Sequence, residues 1–67
     1  MNLIGTPGSD TLAGDNADDI IEGRASDDVL SGMGGNDTIL GEDGNDAMYG
    51  NAGSDLVEGG GGADSIW

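Results

Sequence analysis

The sequence predicts an all-β fold, a right-handed parallel β-roll (a type of β-solenoid) with two nonapeptide repeats, or 18 residues, per coil and about three and a half coils. Two periodic features predict it. Glycine and aspartate each recur every nine residues, and an apolar residue follows each aspartate by two positions. A repeat too short to bury its own apolar residue must stack on its neighbours, as the repeats of solenoids do. The glycines are Gly5, Gly14, Gly23, Gly32, Gly41, Gly50 and Gly59, and the apolar residues are Leu12, Ile21, Leu30, Ile39, Met48, Val57 and Ile66.

The repeats account for the whole chain, so we expect a single domain spanning residues 1–67. Residues 1–4 match the end of a further repeat, with Leu3 at its apolar position. No segment between the repeats has the composition of a linker. The complete repeats span residues 5–13, 14–22, 23–31, 32–40, 41–49, 50–58 and 59–67.

Each repeat is predicted to contain one turn and one short strand. We number its positions one to nine from the recurring glycine. Positions one to six are rich in Gly, Asn, Asp and Ser, which favour turns because they tolerate positive φ or hydrogen-bond their own backbone. Positions seven to nine form the strand, and since side chains alternate along a strand, position eight points inward. A helix is disfavoured, because every nine residues contain a glycine that costs about 1 kcal/mol in a helix.

The charge of the chain restricts its partners. Fourteen acidic residues face one basic residue, Arg24, for a net charge of −13. Such a chain repels nucleic acid and anionic membrane surfaces, and no apolar run approaches the roughly 18 residues of a membrane span. With neither lysine nor histidine, few groups are available for acid–base or nucleophilic catalysis, so we expect no enzymatic activity.

The same composition predicts a need for oxygen-bound cations. A chain of 67 residues buries too little apolar surface to be stable without support. The absence of cysteine excludes disulfides, and the absence of both cysteine and histidine disfavours zinc. Hard cations such as Ca²⁺ remain, because carboxylate and carbonyl oxygens bind them.

The nonapeptide pattern resembles that of the RTX repeats, the calcium-binding repeats of secreted bacterial toxins, proteases and lipases. That pattern reads Gly-Gly-x-Gly-x-Asp-x-apolar-x, and residues 41–49 and 59–67 follow it most closely. The resemblance covers the full chain. The sequence departs from it at position two, which is glycine only at Gly60, and at position four, where Ala17 and Ser26 replace glycine.

The resemblance implies a Ca²⁺ ion between each turn and the turn two repeats further along. Turns 5–10, 23–28, 41–46 and 59–64 would stack on one side, and turns 14–19, 32–37 and 50–55 on the other, enclosing five sites. The implied side-chain ligands are Asp10, Asp19, Asp28, Asp37, Asp46, Asp55 and Asp64. The implied backbone carbonyl ligands are those of Thr6, Gly8, Asp15, Ala17, Arg24, Ser26, Met33, Gly35, Glu42, Gly44, Asn51, Gly53, Gly60 and Gly62.

The resemblance also implies a function. We expect a secreted, bacterial calcium-binding module that folds when it binds about five Ca²⁺ ions and that assists the folding and type I secretion of a larger protein, or stabilises it. A natural fragment and a minimal or engineered repeat block are both open. The alternative is a structural or adhesive solenoid that self-assembles end to end through its open coil edges.

Two further expectations concern the surface and the last coil. Acidic residues outside position six, such as Asp15, Asp18 and Asp27, are expected to be solubilising rather than ligating. Trp67 is expected to fold over the last coil as a partial cap, with end-to-end association as the competing outcome, because solenoids ordinarily need capped ends.

Overall fold

The computed structural model describes all 67 residues and contains eight short strands and no helix. The strands occupy positions seven to nine of the repeats, as predicted, because the glycine-rich turns interrupt the chain between them. No helical segment with the length and apolarity of a membrane span is present. The strands are β1 (Asn2–Ile4), β2 (Thr11–Ala13), β3 (Ile20–Glu22), β4 (Val29–Ser31), β5 (Thr38–Leu40), β6 (Ala47–Tyr49), β7 (Leu56–Glu58) and β8 (Ser65–Ile66).

The strands form two parallel sheets, in the orders β1-β3-β5-β7 and β2-β4-β6-β8. Each strand pairs with the strand two repeats away, and the register places Leu3 beside Ile21 and Leu30 beside Met48. One coil therefore contains 18 residues. The predicted parallel β-solenoid is confirmed, and it has about four coils when the leading strand β1 is included.

The core is a single column of position-eight side chains between the two sheets. Ile21, Leu30, Ile39 and Met48 are fully buried, and Leu3, Leu12 and Val57 pack partly against them. The middle coils are covered from both sides, whereas the outermost coils have one open side. This explains why burial falls off towards both ends of the column.

Buried carboxylates are as numerous as buried apolar side chains. Asp19, Asp28, Asp37 and Asp46 belong to the interior together with the four apolar residues of the core. A carboxylate in such a position lowers stability unless hydrogen bonds or a cation compensate its lost hydration. The turns, and not only the apolar column, therefore determine whether this fold is stable.

The expectation that Trp67 caps the last coil is wrong. Its ring stacks on that of Tyr49, with the centroids 4.7 Å apart and the planes 10° from parallel. The Trp67 N–H donates to the Met48 carbonyl, which extends the β6–β8 pairing to position nine, where side chains point outward. Trp67 is therefore 65% exposed on the outer face of the sheet, and the inward-facing Ile66 stays 52% exposed at the open end.

Candidate metal centres

The register of the strands arranges the seven turns in two stacks. The first stack contains turns 5–10, 23–28, 41–46 and 59–64, and the second contains turns 14–19, 32–37 and 50–55. Consecutive turns of a stack are joined by hydrogen bonds between residues 18 positions apart. We call the space between two consecutive turns of a stack a gap, and the two stacks together contain five gaps.

A ladder of aspartates crosses every gap. The N–H of Asp28 donates to Oδ1 of Asp46 at 2.9 Å, and the N–H of Asp19 donates to Oδ1 of Asp37 at 2.8 Å. Asp10, Asp37 and Asp46 donate in the same way to the aspartate one coil later. Each later carboxylate therefore reaches back across its gap, held by a hydrogen bond to a charged acceptor.

The recurring position-one glycine makes room for this carboxylate. A Cβ added to Gly23 would lie 2.6 Å from Oδ2 of Asp28, and one added to Gly41 would lie 2.5 Å from Oδ2 of Asp46. Real Cβ atoms do not approach an oxygen so closely. The invariant spacing of glycine and aspartate in the sequence therefore has a steric cause, since each carboxylate folds over the first residue of its own turn.

The second oxygen of the central aspartates has no hydrogen-bond partner. Oδ2 of Asp28, Asp37 and Asp46 is buried and accepts nothing, and Oδ1 of Asp19 is buried and accepts no hydrogen bond, with the N-terminal ammonium of Met1 3.3 Å away. These residues are only 1–2% exposed, so water does not supply the missing contact. A buried anionic oxygen without a partner fits one kind of ligand, a hard cation such as Ca²⁺.

The pKa values of two of these aspartates reflect the same situation. Burial raises the pKa of Asp37 above its ordinary value, and the carboxylates of Asp19 and Asp55 raise it further, while the hydrogen bond from the Asp19 N–H opposes the rise. Burial likewise raises the pKa of Asp46, with Asp28 and Asp64 as its charged neighbours. Aspartates of consecutive coils therefore repel one another, and a cation between them would remove this repulsion.

Left-handed backbone shapes the turns from residue 23 onward. Positions two and four of these five turns have positive φ, including the non-glycine residues Arg24, Ser26, Met33, Glu42 and Asn51. For such residues this conformation costs roughly 1–2 kcal/mol each, so the fold must impose it. The glycines in this conformation are Gly35, Gly44, Gly53, Gly60 and Gly62.

Carbonyl groups at position four face the next turn of the stack. A Cβ on Gly35 would lie 2.7 Å from the carbonyl oxygen of Ala17, and the Ser26 carbonyl faces Gly44 in the same way. At position two, the Glu42 carbonyl faces Gly60. These are among the backbone oxygens that the sequence analysis assigned as ligands, and each faces the next turn of its stack.

No group of three or more acidic side chains converges anywhere in the structure. The repeat explains this, because each turn contributes one position-six aspartate to the ladder and each gap has two turns. A gap therefore offers two position-six carboxylates, and backbone carbonyls would have to complete the coordination of a bound ion.

The comparison with protein families agrees with this geometry. A family model of the RTX calcium-binding nonapeptide repeat, built as four copies, matches residues 4–39 and 31–66. The chain belongs to the RTX calcium-binding repeat family. Neither the curated proteins nor the solved structures contain a match to this chain. The family is a structural calcium-binding repeat rather than a catalytic one, and it is typical of secreted bacterial proteins.

The first two RTX turns differ from the other five. Their position-two N–H groups donate to the aspartate of their own turn, Thr6 to Oδ2 of Asp10 at 2.6 Å and Asp15 to Oδ2 of Asp19 at 3.0 Å. Oδ1 of Asp19 also lies 3.3 Å from the N-terminal ammonium of Met1. Met1 lies 18 residues before Asp19, so its ammonium takes the place of the ladder N–H there, whereas at Asp10 the Thr6 hydroxyl donates to Oδ1.

The sequence analysis missed a second ladder, at position five of the RTX repeats. The N–H of Asn36 donates to Oδ1 of Asp18 at 2.7 Å, and the N–H of Asn45 donates to Oδ1 of Asp27 at 2.8 Å. Asn36 and Asn45 accept in turn from the residue one coil later. Asp18 and Asp27 are therefore structural as well as solubilising, and the signal was the recurrence of Asx at position five every 18 residues.

Proposed function

We propose that this chain binds Ca²⁺ in the gaps between stacked turns and that calcium binding stabilises the folded β-roll. The observation that carries the proposal is the set of buried, unpartnered oxygens on Asp28, Asp37 and Asp46. Without a cation they lower the stability of the fold, and with one they become ligands. The whole chain then acts as one calcium-dependent domain.

Each gap would hold its ion between the two aspartates that bound it. The remaining ligands would be backbone carbonyls at positions two and four of the two turns. Five ions bring ten positive charges against a net charge of −13, which leaves about −3. The bounding pairs are Asp10 with Asp28, Asp28 with Asp46, Asp46 with Asp64, Asp19 with Asp37, and Asp37 with Asp55.

Calcium suits these gaps better than magnesium does. Ca²⁺ accepts six to eight oxygens in a flexible geometry at about 2.3–2.6 Å, whereas Mg²⁺ demands a near-ideal octahedron and retains its waters. Two carboxylates on separate turns and carbonyls from glycine-rich turns form a ligand set without fixed octahedral geometry. Since these ligands converge only in the stacked coils, binding free energy would appear as folding free energy.

The biological role that follows is calcium-controlled folding outside the cell. RTX repeats are typical of secreted bacterial proteins, and calcium sites of extracellular modules commonly have dissociation constants of about 10⁻⁴–10⁻³ M. We infer that the chain stays unfolded where calcium is scarce and folds after type I secretion, and so stabilises the protein that carries it. It has no catalytic role in this proposal.

Far-UV circular dichroism during a Ca²⁺ titration from a chelated start tests the proposal. We expect a cooperative transition from coil to β-structure with Ca²⁺ and no transition at the same concentrations of Mg²⁺. A β-sheet spectrum that is already complete in the chelated protein and does not respond to calcium would contradict it.

Self-assembly through the open ends is a second candidate function. Its supporting observation is that β1 and β2 at one end, and β7 and β8 at the other, each have one unpaired edge, and that Ile66 of β8 is exposed. Such edges can accept strands of another copy. Sedimentation velocity at rising protein concentration in saturating calcium tests this, and a constant monomer size would contradict it.

A further inference from the structure

We propose that the five gaps form two classes, three that bind Ca²⁺ tightly and two that bind it weakly. The weak gaps are those that begin at turns 5–10 and 14–19, and Thr6 and Asp15 are the residues that weaken them. This inference rests on the proposed function and assigns a different affinity to particular gaps.

The first argument is the use of the carboxylate oxygens. Asp10 accepts the N–H of Thr6 with Oδ2 and the Thr6 hydroxyl with both oxygens. Asp19 accepts the N–H of Asp15 with Oδ2. Oδ1 of Asp19 lies 3.3 Å from the N-terminal ammonium of Met1. Each of the two first-coil gaps therefore has a buried carboxylate oxygen without any contact only on the side of Asp28 or Asp37, whereas in the other three gaps no turn uses its own aspartate in this way.

The second argument is the backbone of the same two turns. Thr6, Gly8, Asp15 and Ala17 lack the positive φ that positions two and four have in every later turn. The backbone of these two turns therefore differs at positions two and four from that of the turns from residue 23 onward, although the Ala17 carbonyl still faces Gly35 as the Ser26 carbonyl faces Gly44. A Ca²⁺ ion in a first-coil gap would have to rearrange the turn before using it.

The side chain at position two explains why these turns close. Oγ1 of Thr6 accepts the N–H of Gly8 at 3.2 Å, and Oδ1 of Asp15 accepts the N–H of Ala17 at 2.8 Å. Such a bond needs the hydroxyl of Ser or Thr or the side-chain carbonyl oxygen of Asp or Asn, which are short enough to reach the backbone two residues later. Arg24, Met33 and Gly60 have no such oxygen.

Asn51 is the informative exception among the later turns. It has a short side chain with an acceptor oxygen, but its Nδ2 donates to Ser31 Oγ at 3.1 Å and its φ is +63°. A neighbour in the previous coil thus draws its side chain away from its own turn. The side chains of Thr6 and Asp15, by contrast, accept an N–H of their own turn.

Equilibrium dialysis with radioactive calcium, followed over a range of free calcium, counts the ions in each class. We expect three Ca²⁺ ions per chain in the tight class and two more that bind only at a roughly tenfold or more higher concentration of free calcium. This factor is the effect that a hydrogen bond to a charged group has on a binding equilibrium. Five equivalent ions in the wild-type chain would overturn the inference and leave the proposed function intact. A chain that binds no calcium would overturn the proposed function and the inference with it.

Variants in each stack test the cause. In the second stack, the double substitution Asp15→Gly with Ala17→Gly places glycine at positions two and four of turn 14–19 and should move one ion from the weak class to the tight class. In the first stack, Thr6→Gly should do the same for turn 5–10. The matched control is Asp15→Asn, which removes the same charge but keeps the Oδ1 acceptor, and it should keep three tight ions. An Asp15→Asn chain with four tight ions, or a Thr6→Gly chain with three, would overturn the role of these side chains.

Discussion

Replacing the buried Asp46 by asparagine should stabilise the calcium-free fold and weaken the calcium-bound one. Asparagine keeps an Oδ1 that can accept the Asp28 N–H, which now lies 2.9 Å from the Asp46 carboxylate. It removes the negative charge whose burial, beside Asp28 and Asp64, raises the pKa of Asp46. The substitution therefore separates the hydrogen bond of the ladder from the charge.

The magnitudes follow from the environment of the two oxygens. In the calcium-free chain, an unpartnered buried carboxylate oxygen becomes an unpartnered neutral amide, so only the excess cost of the charge is removed, and the gain should be on the order of 1 kcal/mol. In calcium, Asp46 bounds two gaps, so a charged ligand is lost from both. At about 1.5–3 kcal/mol for each lost charged contact, the midpoint of the calcium titration should rise at least roughly tenfold.

Two assays measure the two effects separately. Urea unfolding of the chelated protein, or its residual β-signal if it is largely unfolded, reports the first effect, and circular dichroism during a calcium titration reports the second. The control is Asp43→Asn in the same turn, which removes the same charge from an exposed side chain and should change neither result. An Asp46→Asn chain with the wild-type calcium midpoint would refute the assignment of Asp46 as a ligand.

The remaining predictions concern pH, the position-one glycine and the second ladder. The pKa values of Asp37 and Asp46 are raised in the folded chain, so the folded state binds more protons than the unfolded state. The metal-free fold should therefore be most stable below pH 3.8, the ordinary pKa of Asp. It should lose this stability as the pH rises through the raised pKa values of the two aspartates. A metal-free β-signal that falls on acidification from neutral pH towards 4 would contradict this. Gly41→Ala should lower calcium-saturated stability by about 1–3 kcal/mol, because the added Cβ would lie 2.5 Å from the Asp46 carboxylate. Gly61→Ala, where the nearest atom is 3.5 Å away, should have little effect in the same thermal melt. Asn45→Leu should cost about 0.5–1.5 kcal/mol by removing the exposed hydrogen bond from the Ala63 N–H one coil later, whereas Asn45→Asp should retain most of the wild-type stability in urea unfolding.

The sequence alone predicted the architecture because the fold is a repetition. A glycine every nine residues excludes helices, and three residues between turns leave room only for a short strand. The apolar position eight then determines which side chain faces inward, and Ile21, Leu30, Ile39 and Met48 are indeed the buried ones. The aspartates at position six were recognised by their recurrence, and the stacking of turns two repeats apart follows from the same period.

The sequence did not predict how individual turns would differ from one another. Thr6 and Asp15 occupy the same position as Met33 and Glu42, and only the conformation of the folded chain separates closed turns from left-handed ones. The outward stacking of Trp67 on Tyr49 likewise depended on the pairing of β8 with β6.

The local sequence thus determined the structure of each nonapeptide, which is a turn followed by a short strand with one inward-facing side chain. It could do so because the steric limits on φ and the alternation of side chains along a strand act within a few residues. The tertiary structure decided what each carboxylate meets, because its partners lie 18 residues away in the next coil. Asp46 accepts the N–H of Asp28 in the previous coil, whereas Asp10 accepts the N–H of Thr6 in its own turn. The position-six aspartate is the same in both places, and the folded chain decides which donor it meets.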